Sequence, residues 1–215
     1  MTAFRLVRLA PASLALLLLV ACGTNVVNPV SGRSERSVMD ESSEIAEGRK
    51  AHQQALAEYG ALANPRLQAY VNDIGQKLVR QSHRANLQWT FTVLDSPEVN
   101  AFALPGGFVY VTRGLMAYMD SEADLAGVIG HEIGHVTARH SAQRATSAQD
   151  AGIGVLAATV LGVLIESATG AQGTAQAASQ IGQSVAAGRL ASYSREQECR
   201  TKATIPMAWS TARLC

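Results

Sequence analysis

Residues 121–140 read SEADLAGVIGHEIGHVTARH and carry an H-E-x-x-H pattern at His131, Glu132 and His135. An α-helix turns about 100° per residue, so positions i and i+4 project from one face about one turn apart. Two imidazoles at that spacing can meet one metal ion, with the carboxylate of Glu132 beside them. A hydrolytic zinc site needs that chemistry: neutral nitrogen ligands and a base next to a water position. Ser121 suits the N-cap, and Glu122 and Asp124 fall in the first turn, where the helix dipole favours negative charge. Leu125, Val128, Ile129, Ile133 and Val136 form an apolar stripe at helical spacing. Gly127, Gly130 and Gly134 each cost about 1 kcal/mol in a helix interior, so a close neighbour or ligand is expected there.

The chain has 215 residues, enough for one domain with a real core. Hydrophobic residues make up 47% and aromatics only 5%, so Ala, Leu and Val supply most of that core. The formal net charge is +1, and no run of like charge occurs, which excludes a nucleic-acid partner.

Arg5 and Arg8 precede the apolar run Leu14–Val20 and then Ala21-Cys22-Gly23. Residues 1–21 read as a secretory signal, too short for a stable transmembrane helix. Leu19-Val20-Ala21-Cys22 resembles the bacterial lipobox, which implies lipidation of Cys22 and, with Gly23 rather than Asp following, an outer-membrane lipoprotein facing the periplasm. Residues 22–43 are polar, with Pro, Gly and Ser and no sustained period, and are expected to form a tether without chemistry.

Residues 44–198 form the expected domain. Glu44–Tyr59 is helical in composition and stops at Gly60; Asn64-Pro65 opens a second helix with apolar Leu67, Tyr70, Val71, Ile74 and Leu78. Trp89–Leu94 alternates as a strand. Two short strands flank Pro105-Gly106-Gly107, a hairpin signal. The hairpin edge at Asn100, Ala101, Phe102 and Ala103 is a candidate site for a peptide to add as an extra strand. Thr112–Met119 is expected as a short helix. His140, five residues past His135, points about 140° away on a continuous helix and reads as a surface or packing histidine. Gly152–Ile165 is apolar but short of a span; a core or lid helix is expected, with contact at a membrane surface as the alternative, followed by a second helix ending near Gly188.

A hydrolytic zinc site takes three protein ligands. Ser194-Arg-Glu-Gln-Glu198 is the downstream acidic cluster, and composition does not choose between Glu196 and Glu198. The lipobox, Asn28-Pro-Val-Ser-Gly32, Asn100-Ala-Phe-Ala-Leu-Pro-Gly-Gly107, His131–His135 and Ser194–Glu198 follow one another in an order that resembles the periplasmic lipoprotein branch of one peptidase family. That family includes the CAAX prenyl protease, HtpX, BepA and LoiP. The resemblance covers about residues 25–198. It implies a mostly helical α+β, zincin-like fold with a small sheet beside the metal helix, and one Zn²⁺ per chain. It places the third ligand on Glu198 with His131 and His135, makes Glu132 the catalytic base, and makes the hairpin the substrate-pairing edge. The implied activity is a metalloendopeptidase acting on misfolded or misassembled envelope proteins. Thr201-Lys202 stands where the family has Ala-Asp, and residues 199–215 lack a helical stripe, which is the expectation for a frameshift or truncation after Glu198. A disulfide between Cys199 and Cys215 is compatible with an oxidising compartment. That departure keeps two other classes open: a catalytically dead fragment, and a non-enzymatic chaperone or assembly lipoprotein.

Overall fold

The computed structural model describes residues 23–204. Cys22, the signal segment before it and residues 205–215, with Cys215, lie outside the described residues. In chain order the elements are β1 (Thr24–Val27), β2 (Ser34–Ser37), α1 (Glu41–Tyr59), α2 (Pro65–Val79), β3 (Thr90–Leu94), β4 (Ala101–Leu104), β5 (Phe108–Thr112), α3 (Arg113–Met116), α4 (Glu122–Thr137), α5 (His140–Thr169) and α6 (Thr174–Thr204). The fold is mostly helical α+β, as the sequence leads one to expect.

The expected caps decide most of the helix ends. Asn64 accepts from the Leu67 N–H at 3.2 Å with Pro65 behind it, and Ser121 accepts from the Asp124 N–H at 3.2 Å. Gly60 takes φ +69° and closes α1 by donating to the Leu56 carbonyl at 3.1 Å. Helix α1 begins earlier than its composition suggests, because Asp40 caps it by accepting from the Ser43 N–H at 2.7 Å.

The central sheet has the order β3-β5-β4, with β3 and β5 parallel and β4 antiparallel at the edge. Strand alternation divides its side chains between two layers. Phe91, Val93, Val109 and Val111 join Val71 and Ile74 of α2 and Leu125, Ile129 and Ile133 of α4 in the main core. Tyr110 and Leu94 turn the other way, toward Ala55 of α1, with Phe102, Leu104 and Phe108 packed around them. The β4–β5 turn presses on α1, where a side-chain carbon at Gly48 would sit 1.8 Å from the Pro105 carbonyl oxygen, so only glycine fits.

Three expectations need correction. Residues 24–37, read as part of a tether, form an antiparallel hairpin with Thr24 opposite Ser37 and Val27 opposite Ser34. Its polar composition hid two strands because their side chains bond to the domain instead of entering its core. The metal helix does not run on to His140: Arg139 adopts φ +59°, ψ +36°, and α5 starts at His140. The apolar segment is neither short nor a core helix: it belongs to a 30-residue helix, long and apolar enough by composition to cross a membrane and mostly unburied along its apolar part, and α6 runs past Gly188 to Thr204.

A buried ion cluster ties the layers to the end of α4. Glu44 is 1% exposed and accepts from Arg84 Nη1 at 3.1 Å and from Arg139 Nε at 3.0 Å. Arg84 Nη1 also donates to the Val136 carbonyl at 3.0 Å, and Arg139 Nη2 donates to the Met39 carbonyl at 2.9 Å. Removing one member of a buried pair leaves a charge uncompensated. Glu44→Ala is therefore expected to destabilise the chain by about 3–5 kcal/mol. Glu41→Ala, which removes a half-exposed partner of Arg84, is expected to cost under about 1 kcal/mol. Urea denaturation midpoints of the two variants check the difference.

Candidate metal centre

Helix α4 carries His131 and His135 one turn apart, and the loop of sequence through α5 and α6 returns Glu198 to the same point. His131 Nε2 lies 3.0 Å from His135 Nε2, and the two Glu198 oxygens lie 3.2 and 3.3 Å from those nitrogens. One ligand atom from each residue falls within 4.8 Å of the others. A zinc ion holds nitrogen and oxygen at about 2.0–2.2 Å, which makes the edge of its coordination tetrahedron about 3.3 Å. The three separations match that edge, and two imidazoles with a carboxylate are a hydrolytic zinc donor set, so the residues present fit the metal. Glu196, the alternative in the acidic cluster, is exposed.

The protonation states agree with this use. Burial holds His135 well below its ordinary value, at about 4, against the opposing pull of Glu198, so the ring is neutral near pH 7. A neutral imidazole is what a metal requires. Glu132 is 8% exposed, and burial, reinforced by the charge of Glu198, raises its carboxyl to about 7. A base poised near neutrality can both take and return a proton. A side-chain carbon at Gly130, beside His131, would meet nothing within 4 Å. Among the described residues, open space adjoins the site at Gly130, which leaves room for a ligand and not a packed neighbour.

Strand β4 packs beside α4 and forms the sheet edge. Asn100 precedes the strand, and its main chain is already taken: its carbonyl accepts from the Thr112 N–H at 3.0 Å, and its N–H donates to Thr112 Oγ1 at 3.1 Å. Antiparallel alternation then turns the backbone groups of Ala101 and Ala103 toward the open edge. Phe102 stacks on Tyr110 with centroids 4.7 Å apart, so its ring serves the core.

Sequence reasoning missed the supports of the site. His140 is 3% exposed, and its Nδ1 lies 2.9 Å from His135 Nδ1. The angular argument failed because the left-handed residue Arg139 breaks the helix between them. With His135 Nε2 given to a metal, its Nδ1 carries the proton and donates to His140, which fixes the ring. Gln197, next to Glu198, is 3% exposed and donates from Nε2 to the His140 carbonyl at 3.3 Å and to Gln143 Oε1 at 3.0 Å. Gln143 donates in turn to Glu35 on β2 at 2.6 Å, and Asn28 donates to the Ala138 carbonyl at 3.2 Å. The Asn28–Gly32 motif was visible as a signal, but only the chain path shows what it holds.

A family model described as peptidase family M48 matches residues 65–204. The chain is similar to the beta-barrel assembly-enhancing protease of Escherichia coli K12, 34% identical over 115 residues, covering 54% of this chain and 24% of that protein. It is also similar to the mitochondrial metalloendopeptidase OMA1 of Schizosaccharomyces pombe, 32% identical over 119 residues, covering 54% of this chain and 35% of that protein. The Arabidopsis thaliana protein of the same name is 46% identical over 65 residues, 30% of this chain and 13% of its own. The matched part thus spans about a third or less of each of these relatives.

His140→Ala and Gln197→Ala are each expected to weaken zinc binding by about 10–100-fold, the usual cost of losing an orienting partner. Glu196→Ala, at an exposed position, is expected to leave it unchanged. Competition against a chromogenic zinc chelator measures all three.

Proposed function

The chain belongs to peptidase family M48, and from that premise we propose that it is a zinc-dependent metalloendopeptidase of the bacterial cell envelope, cleaving unfolded or misassembled proteins. The observation that carries the reading is the convergence of His131, His135 and Glu198 within 4.8 Å beside the buried Glu132. These three residues would hold one Zn²⁺ per chain. A zinc ion held there would supply Lewis-acid polarisation of the scissile carbonyl and would acidify a water toward neutrality.

The protein's own residues supply the rest. Glu132 takes a proton from the attacking water on its carboxylate and gives it to the departing amine nitrogen as the C–N bond breaks. His140 holds the His135 ring and Gln197 holds the helix of Glu198, so the ligands are oriented before substrate arrives. Substrate is an extended peptide that pairs with the backbone of Ala101 and Ala103 on the β4 edge. Main-chain pairing reads no side chain, which suits substrates defined by being unfolded. Cys22 is the lipid anchor, and the domain faces the periplasm from the outer membrane. The beta-barrel assembly-enhancing proteases among its relatives support the envelope setting.

A second reading, a catalytically dead chain that folds in part and retains zinc weakly, is favoured by Thr201-Lys202 standing where the family has Ala-Asp.

The purified full chain is expected to contain one zinc by elemental analysis and to cleave casein. A chelator should abolish that cleavage, and added zinc should restore it. Glu132→Gln should keep the zinc and lose at least about 100-fold in rate. Casein cleavage by zinc-free protein would sink the proposal, and zinc-loaded wild type inert toward casein would leave the second reading standing.

A further inference from the structure

Strand β4 carries two kinds of side chain, and they face opposite ways. Ala101 and Ala103 pack toward the main core and the metal helix. Phe102 and Leu104 turn to the other face of the sheet, where α1 lies, and both are half-buried. Since β4 is the edge, a strand paired with Ala101 and Ala103 inherits the same division. Alternate side chains of a substrate then point toward the metal helix, and those between them point toward α1. Main-chain pairing is indifferent to sequence. The surface that meets the second set is not.

The α1 face of the sheet holds a row of rings that stops at the open edge. Tyr110 on β5 is inaccessible to water, and Phe102 stacks on it with centroids 4.7 Å apart and planes 22° from parallel. That separation is the spacing between neighbouring strands, about 4.8 Å. A strand added beyond β4 therefore brings the side chain opposite Phe102 to a similar distance from its ring. The main chains of Ala101 and Ala103 face outward, so in an antiparallel partner the residue opposite Phe102 makes the closer, non-hydrogen-bonded kind of pair.

Helix α1 supplies the wall. Tyr59 packs on this layer, its ring 6.2 Å from that of Phe102 and tilted by 54°. Both rings are half-buried, so apolar surface is left in contact with water that an incoming apolar side chain would cover. The inner end of the row is fixed, because His52 Nδ1 lies 2.6 Å from the Tyr110 hydroxyl and the His52 ring stacks on Phe108. The carboxylates of Glu58 and Glu98 both raise the Tyr59 hydroxyl above its ordinary value, which puts negative charge at the rim.

We propose that Phe102 and Tyr59 form a side-chain subsite on the α1 side of the β4 edge, and that it takes a large apolar side chain, aromatic or aliphatic, from the paired substrate strand. The subsite rests on the reading of β4 as the substrate edge; the row of rings does not. Folded proteins bury most of their large apolar residues, so the subsite meets its ligand in chains that have lost or not yet gained their fold. Two features of one edge thus select unfolded substrate. The main chain of β4 pairs with an unpaired strand, and Phe102 with Tyr59 reads an exposed apolar residue between the pairing points.

The test measures binding, so it does not depend on turnover. The full chain carrying Glu132→Gln is titrated into short fluorescein-labelled peptides of serine and threonine with a central Phe, Ser or Asp, and anisotropy gives the affinities. The Phe peptide should bind about 10-fold tighter than the Ser peptide, with the Asp peptide weakest. Tyr59→Ser and Phe102→Ala should each bring the Phe-to-Ser ratio below about 3 and leave the Ser peptide unchanged. Tyr59 is the last residue of α1 and half-buried, so Tyr59→Ser decides should Phe102→Ala fail to fold. N-methylation of the two residues flanking the Phe, whose N–H groups face β4 in an antiparallel pair, should abolish binding. Equal affinity for the Phe and Ser peptides, with that N-methyl effect present, overturns the subsite and leaves the edge. A Phe preference that survives both substitutions belongs elsewhere on the protein and overturns the subsite. Binding untouched by N-methylation, or no binding of any peptide, overturns the edge reading and the subsite with it.

Discussion

One buried carboxylate holds this structure in register. Glu44 lies between Arg84 and Arg139, nearly inaccessible to water, and each guanidinium makes a further bond to a main-chain carbonyl. Through Val136 the cluster grips the last turn of the metal helix, and through Met39 it grips the segment leading into α1. An apolar contact there would stabilise the layers as well, since buried ion pairs contribute little net stability over well-packed hydrophobic residues. What the ions add is direction. Arg139 sits in a left-handed conformation costing about 1 kcal/mol or more for a non-glycine residue, and two hydrogen bonds hold it there. That kink turns His140 back onto His135.

The metal helix was legible because its signals are local. Ser121, the acidic first turn and the apolar stripe lie within about four turns of one another, and H-E-x-x-H needs only the helix period to become a ligand pair. The β4–β5 hairpin was legible for the same reason, through alternation and the double glycine. The supports of the site were not, because each depends on where distant segments meet. Arg139 gives no sign in sequence of a positive φ, since glycine and asparagine are the usual residues there. Glu35 and Gln143 are 108 positions apart, and Gln197 is 54 from Gln143. No periodicity reports such pairings. The hairpin at residues 24–37 was hidden in another way: its burial is polar, so a reading based on apolar pattern finds only a linker.

Those pairings make the N-terminal segment part of the site. Glu35 receives Gln143, Gln143 receives Gln197, and Gln197 precedes the carboxylate that faces the two histidines. Asn28 meanwhile caps the far end of the metal helix at the Ala138 carbonyl. Both elements carrying ligand residues are thus braced from the same short hairpin, which starts at the point where the chain leaves for the membrane in the proposed anchoring. One set of bonds thus orients both ligand-bearing helices.

The return of Glu198 to the histidines is a problem of register. From His135 the chain travels out along α5, turns at Gly170–Gly173, and comes back along α6, where Glu198 stands 24 residues and about 36 Å from the helix start. A slip of one residue between the two helices would move the carboxylate by 1.5 Å along the axis and turn it by about 100°. Knobs of leucine on one helix would fix that register in water, but the contact here is made by Gly162, Gly182 and small neighbours, which pack closely yet offer few steric stops. Polar contacts supply the stops at both ends: at the turn Glu166 accepts from Thr174 and Ala175 and Thr174 donates to the Gly162 carbonyl, and at the base Gln197 donates to the His140 carbonyl and to Gln143. With both ends pinned, the apolar section between them can present its large side chains outward without loosening the ligand. The same hairpin therefore delivers Glu198 within about one hydrogen-bond length of His131 and His135.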